Sequence, residues 1–148
     1  MIYKEEIRDL FTVDDSYYLM QCISADFAMG AGIATEFNKR FNTRTELMGR
    51  FKGDSISLWD NGIHGYNIFQ GRVLNLITKR NYWEKPTYDT LRNALNQAKT
   101  CCQIHHINKI ALPTIGCGLD KLQWEKVSEI LQEVFADVDI ELLVCRRE

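Results

Sequence analysis

Short apolar runs alternate along the chain with longer segments in which apolar residues recur every three to four positions. The short runs have the length and composition of buried strands. They predict strands over residues 17–24, 72–79, 108–113 and 140–145. The longer segments predict amphipathic helices over residues 29–41, 86–104 and 122–135, of which the second opens with Pro and Thr.

One segment shows the two-residue period of a strand rather than a helical period. Residues 55–59 alternate and are followed by the turn sequence DNGIHG, which predicts a hairpin into a strand over residues 66–70. Because predicted strands and helices alternate, we expect an α/β protein whose mixed sheet is covered by helices on both faces.

Length and composition narrow the class of protein. With 148 residues, the chain is expected to form one domain over residues 1–148. A net charge of −2 argues against broad nucleic-acid binding. The N-terminus lacks a signal-peptide pattern and no apolar run is long enough to span a membrane. Five cysteines without the spacing of a small disulfide scaffold indicate reduced thiols, so we expect a cytoplasmic protein. We also expect no membrane association and a monomer.

Polar or glycine-rich junctions follow three of the predicted strands, at residues 24–34, 78–79 and 114–120. Ligands of open α/β sheets bind beyond the carboxyl ends of the strands. Glycines let the backbone approach a ligand, and a helix that begins there favours an anion. A diphosphate held between two loops fits this pattern, although one glycine pair alone is usually simple turn chemistry.

The combination of three stretches is more specific. QCISADFAMGAGIATEFNKRF, LITKRNYWEKPTY and LPTIGCGLDKLQWEKV resemble, in order and spacing, the macrodomain family. The resemblance is strongest to the terminal ADP-ribose protein glycohydrolase branch and extends over residues 7–144. It implies a three-layer α/β/α sandwich with a mixed, largely parallel sheet. It also implies ADP-ribose as the ligand and no cofactor.

The resemblance assigns binding roles by position. Asp9 would accept a hydrogen bond from the exocyclic amine of adenine, and the Leu10 backbone would meet a ring nitrogen. One glycine loop would face the phosphates, and the other would hold the second phosphate and the distal ribose. The expected binding residues are Asp9, Leu10, Ser24, Gly30, Gly32, Ile33, Ala34, Thr114, Ile115, Gly116, Cys117, Gly118 and Leu119.

The same resemblance makes Lys79 a nucleophile and Asp120 its acid/base partner. A neutral amine can attack the anomeric carbon of the distal ribose and displace a carboxylate, which leaves a covalent lysine–ADP-ribose intermediate. The segment CIS stands where other hydrolytic macrodomains use an asparagine, which favours the lysine–aspartate route. Without the resemblance, Lys79 would be taken as a solvated residue at a strand end and Asp120 as an acid flanking a helix.

The chain departs from the family pattern at three places. Arg8 stands where relatives usually have glycine, beside the expected adenine site. Residues 60–71 look longer than in relatives and would form either an added hairpin or a surface turn. The chain ends in CRRE where the last strand of the family can help close the pocket, which leaves the role of Arg147 open.

The expected function is therefore an ADP-ribosyl hydrolase that removes ADP-ribose from glutamate and aspartate side chains of modified macromolecules. Deacetylation of O-acetyl-ADP-ribose and removal of ADP-ribose from nucleobases are neighbouring activities. A non-catalytic ADP-ribose reader module is the main alternative, and a nucleotide-sugar phosphatase is a more remote one.

Other chemistry-bearing residues have simpler interpretations. Cys117 has no histidine in a partnering loop, as a thiol nucleophile would need. The segment CCQIHH over residues 101–106 could chelate zinc on one helix face, but no second ligand pair stands at zinc-site spacing, so we expect no metal. Trp83 is most simply a core or rim aromatic, although its position just after Lys79 could let it line the pocket.

Overall fold

The structure, a computed structural model, describes residues 1–147; Glu148, which ends the predicted domain and the CRRE terminus, lies outside the described residues. Its strands are β1 (Ile2–Ile7), β2 (Tyr18–Ser24), β3 (Tyr66–Gln70), β4 (Val73–Lys79), β5 (Lys109–Leu112) and β6 (Glu141–Arg146). They form one sheet in the order β1-β6-β5-β2-β4-β3. Only β3 runs antiparallel to its neighbour, which confirms the mixed, largely parallel sheet.

Helices cover both faces of the sheet. They are α1 (Ile33–Phe41), α2 (Thr43–Phe51), α3 (Ile56–Asp60), α4 (Tyr88–His105) and α5 (Trp124–Phe135), with a 3-10 turn at Leu10–Thr12. The alternation of β4 shows the layering: Leu74 and Leu76 pack with residues of α4 and α5, whereas Val73 and Ile77 pack with residues of α1 and α2. The protein is therefore the three-layer sandwich that the sequence predicts.

Most predicted elements lie where the sequence places them. The predicted strands coincide with β2, β4, β5 and β6, and the predicted helices with α1, α4 and α5. Helix α4 begins at a capping box, in which Thr87 and Thr90 each accept a backbone hydrogen bond from the other at 3.1 Å. Within residues 1–147, no helix combines the length and apolarity needed to cross a bilayer.

The predicted hairpin from residues 55–59 is wrong. This segment forms helix α3, since the Asp54 carboxylate caps the Ile56 amide at 3.0 Å and Ile56 and Trp59 pack on the α1–α2 side of the sheet. The hairpin instead joins β3 to β4 through Gly71, with Gln70 paired to Val73. The longer region 60–71 therefore supplies a turn and the edge strand β3.

Two elements carry too weak a pattern to be predicted. Strand β1 lies at a sheet edge, where five of its six residues are exposed and only Tyr3 is partly buried. Helix α2 buries only Thr43 and Leu47. Strand β1 contributes one partly buried side chain and α2 a single apolar turn, so neither segment shows the sustained apolar period that marks the other elements.

Candidate active site

A cavity of about 960 Å³ lies at the carboxyl ends of the parallel strands. All three predicted junctions reach it, with Ser24 at the end of β2, Lys79 at the end of β4 and the loop that follows β5. The carboxyl end of β6 adds Arg146 and Arg147. The fold thus gathers segments that are far apart in sequence around one concave site, as expected for an open parallel sheet.

All but one of the predicted site residues line this cavity. Those that do are Asp9, Leu10, Ser24, Gly30, Gly32, Ile33, Ala34, Lys79, Thr114, Ile115, Gly116, Gly118, Leu119 and Asp120. The exception is Cys117, whose side chain packs against the core on the α4–α5 side of the sheet. Its thiol donates to the Ile115 carbonyl at 3.3 Å, because the loop turns this side chain away from the cavity.

Lys79 and Asp120 form a close pair on the cavity wall. The Lys79 Nζ lies 2.5 Å from the Asp120 Oδ1, and the two side chains are only 12% and 14% exposed. Lys79 is fixed as the last residue of β4, where the preceding Thr78 carbonyl accepts a hydrogen bond from the Thr90 hydroxyl at 2.7 Å. An amine and a carboxylate so close together can exchange a proton directly.

The loop that carries Asp120 is held by its own backbone. The Leu122 amide donates to the Gly116 carbonyl at 2.8 Å, and the Lys121 amide donates to the Gly118 carbonyl at 3.2 Å. Gly116 has a φ of 73°, and a Cβ there would lie 3.0 Å from the Leu122 side chain. A side chain at position 116 is therefore disfavoured by both conformation and space.

The first glycine loop faces the second across the cavity. Gly32 caps helix α1 with a φ of 62°, and no side chain caps the helix. A Cβ on Gly32 would lie 3.8 Å from the Leu119 side chain, which shows how closely the loops approach. Uncapped amides at the start of α1 are suited to an anion.

Asp26 organises this region, a role that was not predicted from the sequence. Its Oδ1 accepts from the Ser24 hydroxyl at 2.5 Å and from the Ala28 amide at 3.0 Å. Its Oδ2 accepts from the Tyr82 amide at 2.9 Å, which ties the glycine loop to the segment after Lys79. An aspartate two residues after a strand end is typical of such turns, but its distant partner has no local sequence pattern.

The opposite end of the cavity combines Asp9 with arginines. The Asp9 Oδ1 accepts from the Phe11 amide at 2.9 Å, so this carboxylate caps the 3-10 turn with one oxygen. Arg8 is held by the Thr12 hydroxyl and carbonyl at 3.0 Å. Arg146 pairs with Glu5 at 2.8 Å. Arg146 and Arg147 thus contribute to the cavity wall.

The charge of the cavity differs in sign from that of the chain. Five cationic side chains line it, against three carboxylates, among the described residues, while the net charge of the chain is −2. The cations are Arg8, Lys79, Lys85, Arg146 and Arg147, and the carboxylates are Asp9, Glu36 and Asp120. This local excess favours an anionic ligand.

The thiols near the site are poorly suited to catalysis. Burial raises the pKa of Cys22, and the nearby Asp120 charge raises it further. Burial raises the pKa of Cys117 to about 11. No histidine is among the described residues that line the cavity. A neutral thiol without a base is a weak nucleophile, which leaves Lys79 as the better candidate.

The CCQIHH segment forms no cluster of metal ligands in the described part of the chain. Cys102 is buried at the end of α4, whereas His105 packs on Phe69 with ring centroids 5.0 Å apart. Across residues 1–147, no three His, Cys, Asp or Glu side chains come together in a way that could hold a metal ion.

Comparison with known proteins establishes the family of the chain. A Macro domain family model matches residues 62–131. The ADP-ribose glycohydrolase OARD1 of Bos taurus is 41% identical over 138 residues, which are 92% of this chain and 86% of that protein. The Homo sapiens OARD1 is 40% identical with the same coverage. The chain belongs to the macrodomain family.

Solved structures agree on the fold. The macrodomain of Mycobacterium tuberculosis DarG matches with a TM-score of 0.78 and 18% identity, covering 99% of this chain and 98% of that one. The Thermus aquaticus DarG macrodomain matches with a TM-score of 0.76 and 19% identity, covering 97% of both. Thermosipho africanus DarTG, solved in complex with ADP-ribose, matches over 98% of this chain and 41% of that one, with a TM-score of 0.74 and 16% identity.

Proposed function

We propose that this protein is an ADP-ribosyl hydrolase that releases ADP-ribose from glutamate and aspartate side chains, with Lys79 as nucleophile. The observation that carries the proposal is the 2.5 Å contact between Lys79 and Asp120 on the wall of a cavity with an excess of cations. The identity of about 40% to proteins named ADP-ribose glycohydrolase supports the same class of reaction.

ADP-ribose would lie along the cavity with adenine near Asp9. One Asp9 oxygen is engaged by the Phe11 amide, which leaves the other to accept from the exocyclic amine of adenine. The diphosphate would lie between the amides at the start of α1 and the loop around Gly116. This placement brings the distal ribose toward Lys79 and Asp120.

The first chemical step breaks the bond between the ribose and the carboxylate. The Lys79 amine attacks the anomeric carbon while the bond to the carboxylate oxygen breaks, and the leaving carboxylate takes the electron pair. An ammonium cannot attack, so the reactive form has its exchangeable proton on Asp120. The short contact between the two side chains allows that transfer without movement of the backbone.

The second step releases ADP-ribose from the lysine. After Asp120 has passed its proton to the departing carboxylate, its own carboxylate accepts a proton from the water that attacks the anomeric carbon. The bond from that carbon to the Lys79 nitrogen breaks with its electron pair on nitrogen, and the proton held by Asp120 then returns to the released amine. Asp120 therefore acts on both steps, first on the amine and then on water. The low exposure of the pair limits competing contact with bulk solvent.

The experiment that tests the proposal measures free ADP-ribose released from a glutamate-ADP-ribosylated protein. We expect release by the wild-type protein and by Lys39→Ala, a control at an exposed lysine of α1. Binding of ADP-ribose without any release would instead identify a reader module. Release from O-acetyl-ADP-ribose and from nucleobase-linked ADP-ribose, measured in parallel, ranks the linkages.

A further inference from the structure

Two large aromatic side chains stand exposed directly beside the candidate active site. Tyr82 is 61% exposed and Trp83 is 66% exposed, although both follow Lys79 by only three and four positions. Their rings contact each other edge to face, with centroids 5.1 Å apart and an angle of 87° between the planes. Large aromatics left in water in this way are typical of binding surfaces.

The backbone beneath these rings is held in place. The Tyr82 amide donates to Asp26 at 2.9 Å, and the neighbouring buried Asn81 donates twice to the Glu84 carboxylate, at 3.0 and 2.7 Å. Arg80 makes a two-pronged ion pair with Asp60 at 2.8 and 2.9 Å. The aromatic pair is thus presented on a fixed segment, which lowers the entropy cost of binding.

The position of the pair relates it to one part of the substrate. Tyr82 lines the same cavity as Lys79 and Asp120, whereas Trp83 lies outside the cavity wall. In the proposed reaction, the group that leaves the anomeric carbon must extend from Lys79 toward the solvent. Because both rings follow Lys79 closely in the chain and one of them lines the cavity, the pair is available to meet that group as it leaves.

We propose that Tyr82 and Trp83 bind the polypeptide that carries the ADP-ribose and thereby select protein substrates. This inference rests on the proposed function and extends it to the leaving group. Tyr and Trp give a large contact area for few rotatable bonds, and they pack well on backbone and apolar side chains. Such contacts tolerate different flanking sequences.

The local charges favour a polypeptide over a nucleic acid. A single strand needs cations for its phosphates as well as aromatic rings for its bases. Here Arg80 is already paired with Asp60, and Lys85 donates to the Leu119 carbonyl at 2.6 Å. The Glu84 carboxylate lies on the same segment, and the Asp26 carboxylate contacts that segment through the Tyr82 amide. Among the described residues, these two cations near the rings are therefore matched by carboxylates or already engaged.

The test compares the affinity of free ADP-ribose with that of a synthetic peptide carrying ADP-ribose on a glutamine side-chain nitrogen. The proposal predicts that the wild-type protein binds the peptide about tenfold more tightly than ADP-ribose. The variant Trp83→Ala, at the ring that lies outside the cavity wall, is expected to lose this gain and to keep its affinity for ADP-ribose. The conservative Trp83→Phe variant and the exposed-residue control Ile104→Ala are expected to keep the gain.

Three results would overturn the proposal. Equal wild-type affinities for peptide and ADP-ribose would remove its basis. A loss of ADP-ribose affinity in Trp83→Ala would show that this ring only supports the site. A larger, salt-sensitive gain with an ADP-ribosylated oligonucleotide would assign the rings to nucleic acid. The test measures binding and does not depend on turnover. A wild-type protein that binds the peptide more tightly than ADP-ribose but releases no ADP-ribose would therefore refute the proposed hydrolysis and leave the peptide-binding proposal standing.

Discussion

The carboxylate of Asp26 accepts a hydrogen bond from the backbone amide of Tyr82 at 2.9 Å, across a separation of 56 residues. The other oxygen of Asp26 holds Ser24 and Ala28 at the end of β2. One side chain therefore links the glycine loop that faces the phosphates to the segment that follows Lys79. The relative position of the binding loop and the proposed nucleophile depends on this link.

Replacing Asp26 is expected to loosen both loops together. Asp26→Ala leaves three donors without their acceptor, so the free energy of unfolding should fall by about 1–3 kcal/mol, with a loss of turnover. Asp26→Asn keeps one acceptor oxygen and should lose less. Urea denaturation and the release assay measure the two effects. An Asp26→Ala protein as stable as the wild type would show that these hydrogen bonds do not stabilise the fold.

Gly116 and Gly118 offer a matched pair in one loop. Gly116→Ala places a side chain at a φ of 73° and 3.0 Å from Leu122, so it should lower the free energy of unfolding by about 1–3 kcal/mol. At Gly118 a Cβ meets no atom within 4 Å, so Gly118→Ala should leave stability nearly unchanged. Equal effects of the two substitutions in urea denaturation would refute the conformational argument.

The Asp9 carboxylate is expected to recognise adenine as well as cap the 3-10 turn. Asp9→Ala removes both functions and should weaken ADP-ribose binding by about 1–3 kcal/mol. Asparagine also caps helices well, but its side chain has one acceptor oxygen where aspartate has two. Asp9→Asn should therefore keep the stability of the protein while weakening its affinity for ADP-ribose. Calorimetry with ADP-ribose and AMP measures this, and AMP is expected to bind less tightly in every variant. Unchanged affinity in both variants would place adenine elsewhere.

The Cys117 thiol is expected to stay protonated at neutral pH. Burial disfavours the thiolate and raises the pKa from 9.0 to about 11, so the reactive form appears only in strongly alkaline solution. Alkylation followed by peptide mapping should find this residue slow at pH 8 and faster as the pH approaches 11. Rapid labelling of Cys117 at neutral pH would contradict the raised pKa of its half-buried thiol.

The central part of the fold could be predicted because its pattern is local. Strand β4 is a mostly apolar, buried run that ends at Lys79, and α4 begins with its own cap at Thr87. Helix α3 could not be predicted, because Ile56 and Trp59 have a helical spacing whereas Ile56 and Leu58 have the alternation of a strand. Strand β1 is held by pairing with β6 rather than by apolar burial, so its sequence carries little pattern.

In the candidate site, too, residue roles could be predicted from the sequence, whereas contacts between distant residues could not. The resemblance supplied the expected roles of Lys79 and Asp120, whereas their separation of 2.5 Å is visible only in three dimensions. The direction of the Cys117 side chain depends on the turn of its loop, which the sequence does not determine. The contact between Asp26 and Tyr82 is equally non-local, because nothing near either residue identifies the other.

The covalent route predicts different failures for the two members of the pair. Asp120→Ala removes the group that activates water, so some ADP-ribose should remain attached to Lys79. Intact-protein mass spectrometry after mixing with a glutamate-ADP-ribosylated protein detects the adduct, and peptide mapping locates it. The same mixture with Lys79→Ala provides the control and should show no adduct.

The most direct test of the central claim is the turnover of Lys79→Ala and Lys79→Arg on the glutamate-ADP-ribosylated protein. Arginine keeps a cation beside Asp120 but stays protonated, so it cannot act as the nucleophile. The account predicts that both variants bind ADP-ribose and that neither releases it from the modified protein. Near-normal release by either variant would contradict the lysine nucleophile and point to direct attack by water.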